Sequence, residues 1–368
     1  MKNITVIGVG KLGLCFALTL EKNGYNVIGV DIDQGYVESL NNKKFNSEEP
    51  KVTSYLKNST QFAGTTEMKK GIRHSDILFL FVSTPSLKNG KYDHSQIDKV
   101  SEQLIDLNDG IGTKYLIIGC TTMPGYCDSL QKKLNPYGYT VSYNPEFIAQ
   151  GSIMNDMSNP DLILIGESNR KAGDLVESIY SSFLNNNPTI HRMKRKEAEI
   201  TKIALNCFLT TKIAYANMVG DIAKQANCDP NIILNAIGSD SRIGKKYLKY
   251  GYGFGGPCFP RDNRAFYNFA DDIGINAIIS KATGRSNKEH LQNQIKDFIR
   301  NNDKSKIIKF SDITYKPGTN IIEESQKLQL AVELAKIGYK IVVHDKKVII
   351  DKVKDRYKNL FVYKVKKV

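Results

Sequence analysis

Nowhere in its 368 residues does the chain hold an apolar run approaching the ~20 residues that a helical membrane span requires. The opening residues, MKNITVIGVG, lead directly into a strand pattern, with no signal peptide ahead of them. Six cysteines, at 15, 120, 127, 207, 228 and 258, contain no CxxC pair and fall short of a disulfide framework. They read as reduced thiols, and a cytoplasmic location is expected. Nucleic-acid-binding motifs are missing as well, although the net charge is +14, from 52 Lys+Arg against 38 Asp+Glu. The lysines are spread along the chain, with modest clusters near 192–196 and 364–367. That distribution describes a solvated basic surface, so neither nucleic acid nor membrane is expected as a partner.

What is there is the composition of a folded protein, 41% hydrophobic and 24% charged, at a length that suits two or three domains. Ile4–Val9 reads as a strand, followed by a glycine turn and a helix to about Lys22. Val27–Asp31, Ile77–Val82, Tyr115–Cys120 and Thr140–Tyr143 are further apolar runs of strand length. Strands alternating with helical stretches predict a doubly wound α/β domain of Rossmann type. From Arg195 to Asn227 there is no proline, and the only glycine is Gly220. Ile200, Ile203, Cys207, Phe208, Thr211, Tyr215, Met218, Val219 and Ile222 recur there at helical spacing. A helix of that length spans ~50 Å and is expected to act as a shared spine and homodimerisation element. Beyond it, LAKIGYKIVVHD (334–345) echoes LEKNGYNVIGVD (20–31) in its helix end, Gly-Tyr turn, strand and terminal Asp. A second, shorter Rossmann-like unit is therefore expected. Lacking GxGxxG, it should not hold a dinucleotide in the same manner. The expected division is 1–194, 195–290 and 291–368.

Gly8-Val9-Gly10-Lys11-Leu12-Gly13 matches GxGxxG, a weak pattern by itself. Here it follows a strand, opens a helix, and precedes Asp31 at the end of the next strand. That context is a dinucleotide fingerprint rather than a plain strand–helix turn. Asp31 would accept the adenine-ribose hydroxyls and repel a 2′-phosphate, which favours NAD over NADP.

GYGFGGPCFPRD, residues 251–262, is the most unusual stretch. Its glycines are expected to let the backbone lie against a ligand. Cys258 falls just before a helix expected to start near Arg261, and a helix N-terminus with a nearby cation favours thiolate. By itself a cysteine is more often a small core residue. On the long helix, Lys202, Asn206, Ile213 and Asn217 share one narrow stripe. Lys202 and Asn206 suit either a solvated face or an oxyanion-stabilising pair of charge and amide.

Taken in order, these segments resemble the UDP-glucose/GDP-mannose dehydrogenase family, and within it the bacterial enzymes acting on UDP-glucose. The resemblance runs from residue 1 to about 345. It is carried by GVGKLG (8–13), VSTPSLKNGKYDHSQI (82–97), CTTMPG (120–125), NPEFIAQG (144–151), EAEITKIALNCFLTTKIAYAN (197–217), SRIG (241–244), the cysteine loop and YKPGT (315–319). It implies an NAD-dependent, metal-free, four-electron oxidation of a nucleotide-sugar C6 alcohol to a carboxylate, through a cysteine thiohemiacetal and thioester. UDP-glucose leads as substrate. GDP-mannose, a UDP-N-acetylhexosamine, or a catalytically impaired nucleotide-sugar-binding homologue are the alternatives.

By the same resemblance Cys258 is the nucleophile, and Lys202 and Asn206 are oxyanion stabilisers. Asp262 and Thr122 belong to the water and proton network, and Glu146 serves thioester hydrolysis. Cofactor contacts are implied at Gly8, Gly10, Lys11, Leu12, Gly13, Asp31, Thr84 and Thr122. Substrate contacts are implied at Phe147, Lys202, Asn206, Arg242, Tyr247, Tyr252, Gly255 and Lys316. Three departures stand out. Gln150 replaces a Glu of some members, and Glu323 replaces an Arg. The sequence also ends at Val368, before a strand–helix stretch that the family carries. A weakened hold on the uridine diphosphate is the expected consequence.

Overall fold

The computed structural model describes residues 2–366 apart from 109, 111, 149 and 150, so Gln150 and Lys367 lie outside the described residues. By density of contacts the chain divides into Met1–Lys202 and Ile203–Val368. The division falls inside the long helix, which runs Arg195–Gln225.

Eight strands form the sheet of the first unit. They are β1 (Asn3–Ile7), β2 (Asn26–Val30), β3 (Phe62–Thr65), β4 (Ile77–Leu80), β5 (Lys114–Ile118), β6 (Tyr139–Tyr143), β7 (Leu162–Glu167) and β8 (Thr189–Lys194). Their order is β3-β2-β1-β4-β5-β6-β7-β8, parallel except where β6 meets β7. The Rossmann fold expected from the sequence is thus present, and its strand order reverses between β1 and β4. Ligands of such sheets bind at the carboxyl ends of the strands beside that switch point. Both the glycine turn after β1 and the Val82–Pro85 loop after β4 emerge there.

Helices pack on both faces, so these strands are apolar throughout: Ile4, Val6, Leu78, Phe79 and Leu80 have no exposed surface. The first helix, Lys11–Lys22, buries Phe16, whose ring contacts Phe79 and Phe81 at centroid distances of 4.7 and 5.1 Å. The strands expected to reach Val9 and Val82 stop at Ile7 and Leu80. Gly8 takes φ +82° and turns the chain away from the ladder.

In the second unit the long helix continues beside helices Pro230–Gly238, Phe259–Asp272 and Ile278–Asn301. A three-stranded parallel sheet follows, made of β9 (Ile307–Ser311), β10 (Lys340–Asp345) and β11 (Val362–Val365) in the order β11-β10-β9. The sequence echo is physical. The Asp345 carboxylate, at the end of β10, accepts the Ile313 N–H at 2.9 Å. The Asp31 carboxylate, following β2, accepts the Val9 N–H at 3.1 Å. In each unit a terminal Asp ties down the turn after the neighbouring strand.

Burial separates the faces of the long helix. Lys202, Asn206 and Asn217 are buried, which rules out the solvated reading of that stripe. Ile203 and Cys207 are buried as well, whereas Phe208, Tyr215, Met218 and Ile222 are exposed on this single chain. Among the described residues no helix is long and apolar enough to cross a membrane.

Candidate active site

The dinucleotide turn shows why its glycines are glycines. A β-carbon on Gly8 would sit 2.3 Å from the Phe81 carbonyl oxygen, and one on Gly13 would sit 1.9 Å from that of Gly8. Both residues are needed to close the turn. A β-carbon on Gly10 would meet nothing within 4 Å. That open space lies at the N-terminus of the first helix, where backbone N–H groups favour an anion. A pyrophosphate fits it. Asp31 is oriented by the Val9 N–H at 3.1 Å and the Asp33 N–H at 3.3 Å. Lys11 lies 3.4 Å from Glu49, whose buried carboxylate also accepts the Gly151 N–H at 2.7 Å. Leu12 packs on the core, and Thr84 is buried in the loop after β4.

Thr122 has no exposed surface, and its hydroxyl donates to Glu199 Oε1 at 2.8 Å. The Glu199 carboxylate also accepts the N–H groups of Gly125 at 2.6 Å and Cys127 at 2.9 Å. It thereby caps helix Tyr126–Leu134 from the long helix, a role the sequence did not reveal. The other support of this loop is His94, whose Nε2 accepts the Met123 N–H at 3.1 Å while its ring stacks on Tyr126 at 3.9 Å.

Glu146, Phe147 and Lys202 come together. The Lys202 ammonium donates to the Glu146 carbonyl oxygen at 2.6 Å and lies 4.3 Å from the centre of the Phe147 ring. Tyr180 donates its hydroxyl to the Glu146 carboxylate. Burial pushes Glu146 up to about 7, against the opposing pull of Tyr180 and Lys202. A carboxyl poised there exchanges a proton near neutrality.

The cysteine helix begins at Phe259, two residues earlier than expected, because Pro260 fits the first turn of a helix. Cys258 is therefore its N-cap, exposed, at the end of the helix dipole that favours negative charge. One turn on, Asp262 has no exposed surface. Asn206 Nδ2 donates to Asp262 Oδ2 at 2.6 Å, and Arg261 Nε lies 3.1 Å from Oδ1.

Three of the loop glycines make room for protein, while a β-carbon on the fourth, Gly251, would meet nothing within 4 Å. A β-carbon on Gly253 would lie 2.3 Å from Asn287 Oδ1, and one on Gly255 would lie 2.2 Å from the Glu324 carbonyl oxygen. At Gly256, which has φ +80°, it would lie 2.4 Å from the Tyr315 ring. The KPGT segment carrying Lys316 thus runs against the cysteine loop, with Gly256 N–H donating to the Glu323 carbonyl at 3.1 Å. Glu323 itself is exposed, and its neighbour Glu324 pairs with Arg264 at 2.7 Å. Tyr252 is half-exposed, and so is Tyr247, whose φ of +63° is unusual for a tyrosine. Arg242 is not drawn to these residues; its side chain is 86% exposed and pairs with Asp240 at 2.6 Å.

Comparison with known proteins decides the family. Residues 2–184 match the NAD binding domain, and residues 196–289 the central domain, of the UDP-glucose/GDP-mannose dehydrogenase family. The chain belongs to that family. Its members are NAD-dependent sugar-nucleotide dehydrogenases. The UDP-glucose 6-dehydrogenase of Rickettsia felis is 31% identical over 347 residues, covering 91% of this chain and 75% of that one. The GDP-mannose 6-dehydrogenase of Pseudomonas aeruginosa is 29% identical over 359 residues, covering 94% and 81%. The solved UDP-glucose dehydrogenase of Pyrobaculum islandicum superposes with a TM-score of 0.90 at 26% identity, covering 99% and 86%. The family's cofactor suits the turn described above. The open space at Gly10 could take its pyrophosphate, and the Asp31 carboxylate is fixed nearby by the Val9 N–H.

The pairing of His94 predicts an acid-sensitive dehydrogenase. Burial pulls His94 down from 6.5 to about 4, against Asp98 and Asp93. Between those pH values only the unfolded chain takes up this proton, so stability falls as pH falls. The loss amounts to on the order of 2–3 kcal/mol across the window. Urea unfolding from pH 7 to pH 4 should show a shallower decline in His94→Gln than in wild type. Parallel curves would contradict this assignment.

Proposed function

We propose that this family member oxidises the C6 alcohol of UDP-glucose to the carboxylate of UDP-glucuronate, with Cys258 as nucleophile. The observation that carries the reading is the placement of Cys258. It is exposed at a helix N-cap, one turn from a buried carboxylate that is hydrogen-bonded to Asn206. A thiol at such a helix end favours the thiolate, which attacks carbonyl carbon.

Two NAD, bound in succession, would each accept one hydride; Gly8, Gly10, Lys11, Leu12, Gly13, Asp31 and Thr84 would hold them, and buried Thr122 would fix the adjoining loop. The first oxidation turns the C6 alcohol into an aldehyde. Cys258 Sγ then adds to the aldehyde carbon, forming a C–S bond while the carbonyl pair moves to oxygen. Lys202 and Asn206, four residues apart on one helix, stabilise that charged oxygen. The second oxidation leaves a thioester. Water adds to its carbonyl carbon, the C–S bond breaks, and the carboxylate and Cys258 thiolate are released. Glu146, held near neutrality by burial, takes the proton of that water. Asp262, with both oxygens engaged, acts by fixing Asn206 and the first turn of the cysteine helix. Phe147 confines the Lys202 ammonium. Arg242, Tyr247, Tyr252, Gly255 and Lys316 contact the nucleotide sugar. The carboxylate of Asp31 disfavours NADP.

Relatives named for GDP-mannose are as similar as several named for UDP-glucose, so substrate choice is the point to test. NADH formed per sugar consumed should be two for UDP-glucose, with GDP-mannose and UDP-N-acetylhexosamines much slower. Cys258→Ser should abolish the four-electron reaction. Unchanged turnover of Cys258→Ser, still yielding two NADH, would overturn the covalent route.

The exposed side chains Phe208, Tyr215, Met218 and Ile222 support a homodimer through the long helix. Sedimentation should find a dimer for the wild type and a monomer for Phe208→Glu/Ile222→Glu. A wild-type monomer at micromolar concentration would refute this.

A further inference from the structure

The polypeptide leading to Cys258 is fastened by polar side chains, most of which no motif pointed out. Asn287 both accepts the Phe254 N–H at 2.9 Å and donates to the Phe254 carbonyl at 3.0 Å. Asn217 accepts the Gly251 N–H at 3.0 Å. The Gly251 carbonyl is held by His290 Nε2 at 2.7 Å and by Gln294 Nε2 at 3.1 Å. Asn287, His290 and Gln294 follow one another at helical spacing, so one face of helix Ile278–Asn301 grips the start of the loop.

His290 differs from the two amides. Its Nδ1 lies 2.9 Å from Asp221 Oδ2, and the ring is buried. Both ring nitrogens thus face oxygens, a carboxylate and a carbonyl, that carry no proton. The ring is thereby fixed at both ends. Asp221 is itself held in place. It also accepts from Tyr250 Oη at 3.0 Å and Asn293 Nδ2 at 2.8 Å. Burial raises the Asp221 carboxyl, but its hydrogen bonds, led by His290, prevail and leave it below the usual range. The nearby charges are Lys224, 5.4 Å from the Tyr250 ring centre, and Asp297, which pairs with Lys224 at 3.7 Å.

We propose that His290 is a positioning residue for the Cys258 loop, clamping the Gly251 carbonyl through a ring anchored on Asp221. Without the ring the near end of the loop is freed, and the thiol loses its fixed approach to the substrate carbon. The inference rests on Cys258 being the nucleophile, so the test separates the two claims.

In a Cys228→Ser background, which removes the other exposed thiol, Cys258 alkylation by iodoacetamide is timed by mass spectrometry alongside steady-state kinetics. His290→Leu should lower kcat by about tenfold or more, leave KM for NAD within about twofold, and change the alkylation rate severalfold. His290→Gln, which keeps one donor for Gly251, should recover most of the loss. A His290→Leu protein that melts cooperatively, with kcat and alkylation rate within about twofold of wild type, would overturn the clamp. Should His290→Leu fail to fold, Asp221→Asn is read by the same criteria, since it replaces the carboxylate that anchors the ring. Cys258→Ser, assayed in parallel, decides the nucleophile separately, because the alkylation rates do not depend on turnover.

Discussion

One hydrogen bond organises the chemistry of the second unit, the 2.6 Å contact from Asn206 Nδ2 to Asp262 Oδ2. Asp262 has no exposed surface, and a buried carboxylate without partners would be prohibitively costly. Asn206 and Arg261 are what make it tolerable. In return, the carboxylate fixes an amide on the long helix against the first turn of the helix that Cys258 caps. The same long helix carries Lys202 one turn earlier, so rotation of either side chain is restrained by its neighbours: Lys202 by Glu146 and Phe147, Asn206 by Asp262. Fixed donors of this kind need no reorganisation when charge develops on a reacting oxygen, which is where such sites gain most of their rate.

Around that bond the protein repeatedly uses buried polar groups to hold backbone. Glu199 gathers the N–H groups of the Thr122 loop, Glu49 reaches from the Lys11 side of the dinucleotide turn to Gly151, and Asn287 pairs with both the N–H and the carbonyl of Phe254. Each leaves a functional loop with few ways to move. Fully satisfied polar networks rigidify in this way, whereas a partly satisfied one destabilises.

Much of this was legible in the sequence, for identifiable reasons. GVGKLG after an apolar strand, followed by Asp31, has few structural meanings, and the first unit has the strand order that pattern implies. The echo between 20–31 and 334–345 foretold the second sheet because turn and terminal Asp are local features. The strand Thr189–Lys194 was not legible, since TIHRMK at a sheet edge shows no clean apolar alternation. The protein neighbours of Gly253, Gly255 and Gly256 were not legible for a different reason. What occupies the space of a missing β-carbon is a long-range matter, and here it is Asn287, Glu324 and Tyr315. His290 was equally invisible, because a lone histidine in a polar helix acquires meaning only through Asp221 and Gly251.

A double-mutant cycle on Asn206→Ala and Asp262→Ala, read in kcat/KM and in unfolding free energy, tests the account most directly. A charge-assisted buried hydrogen bond predicts a coupling of about 1.5–3 kcal/mol between the two positions. Effects that add to within about 0.5 kcal/mol would mean that the residues act independently, and would contradict it.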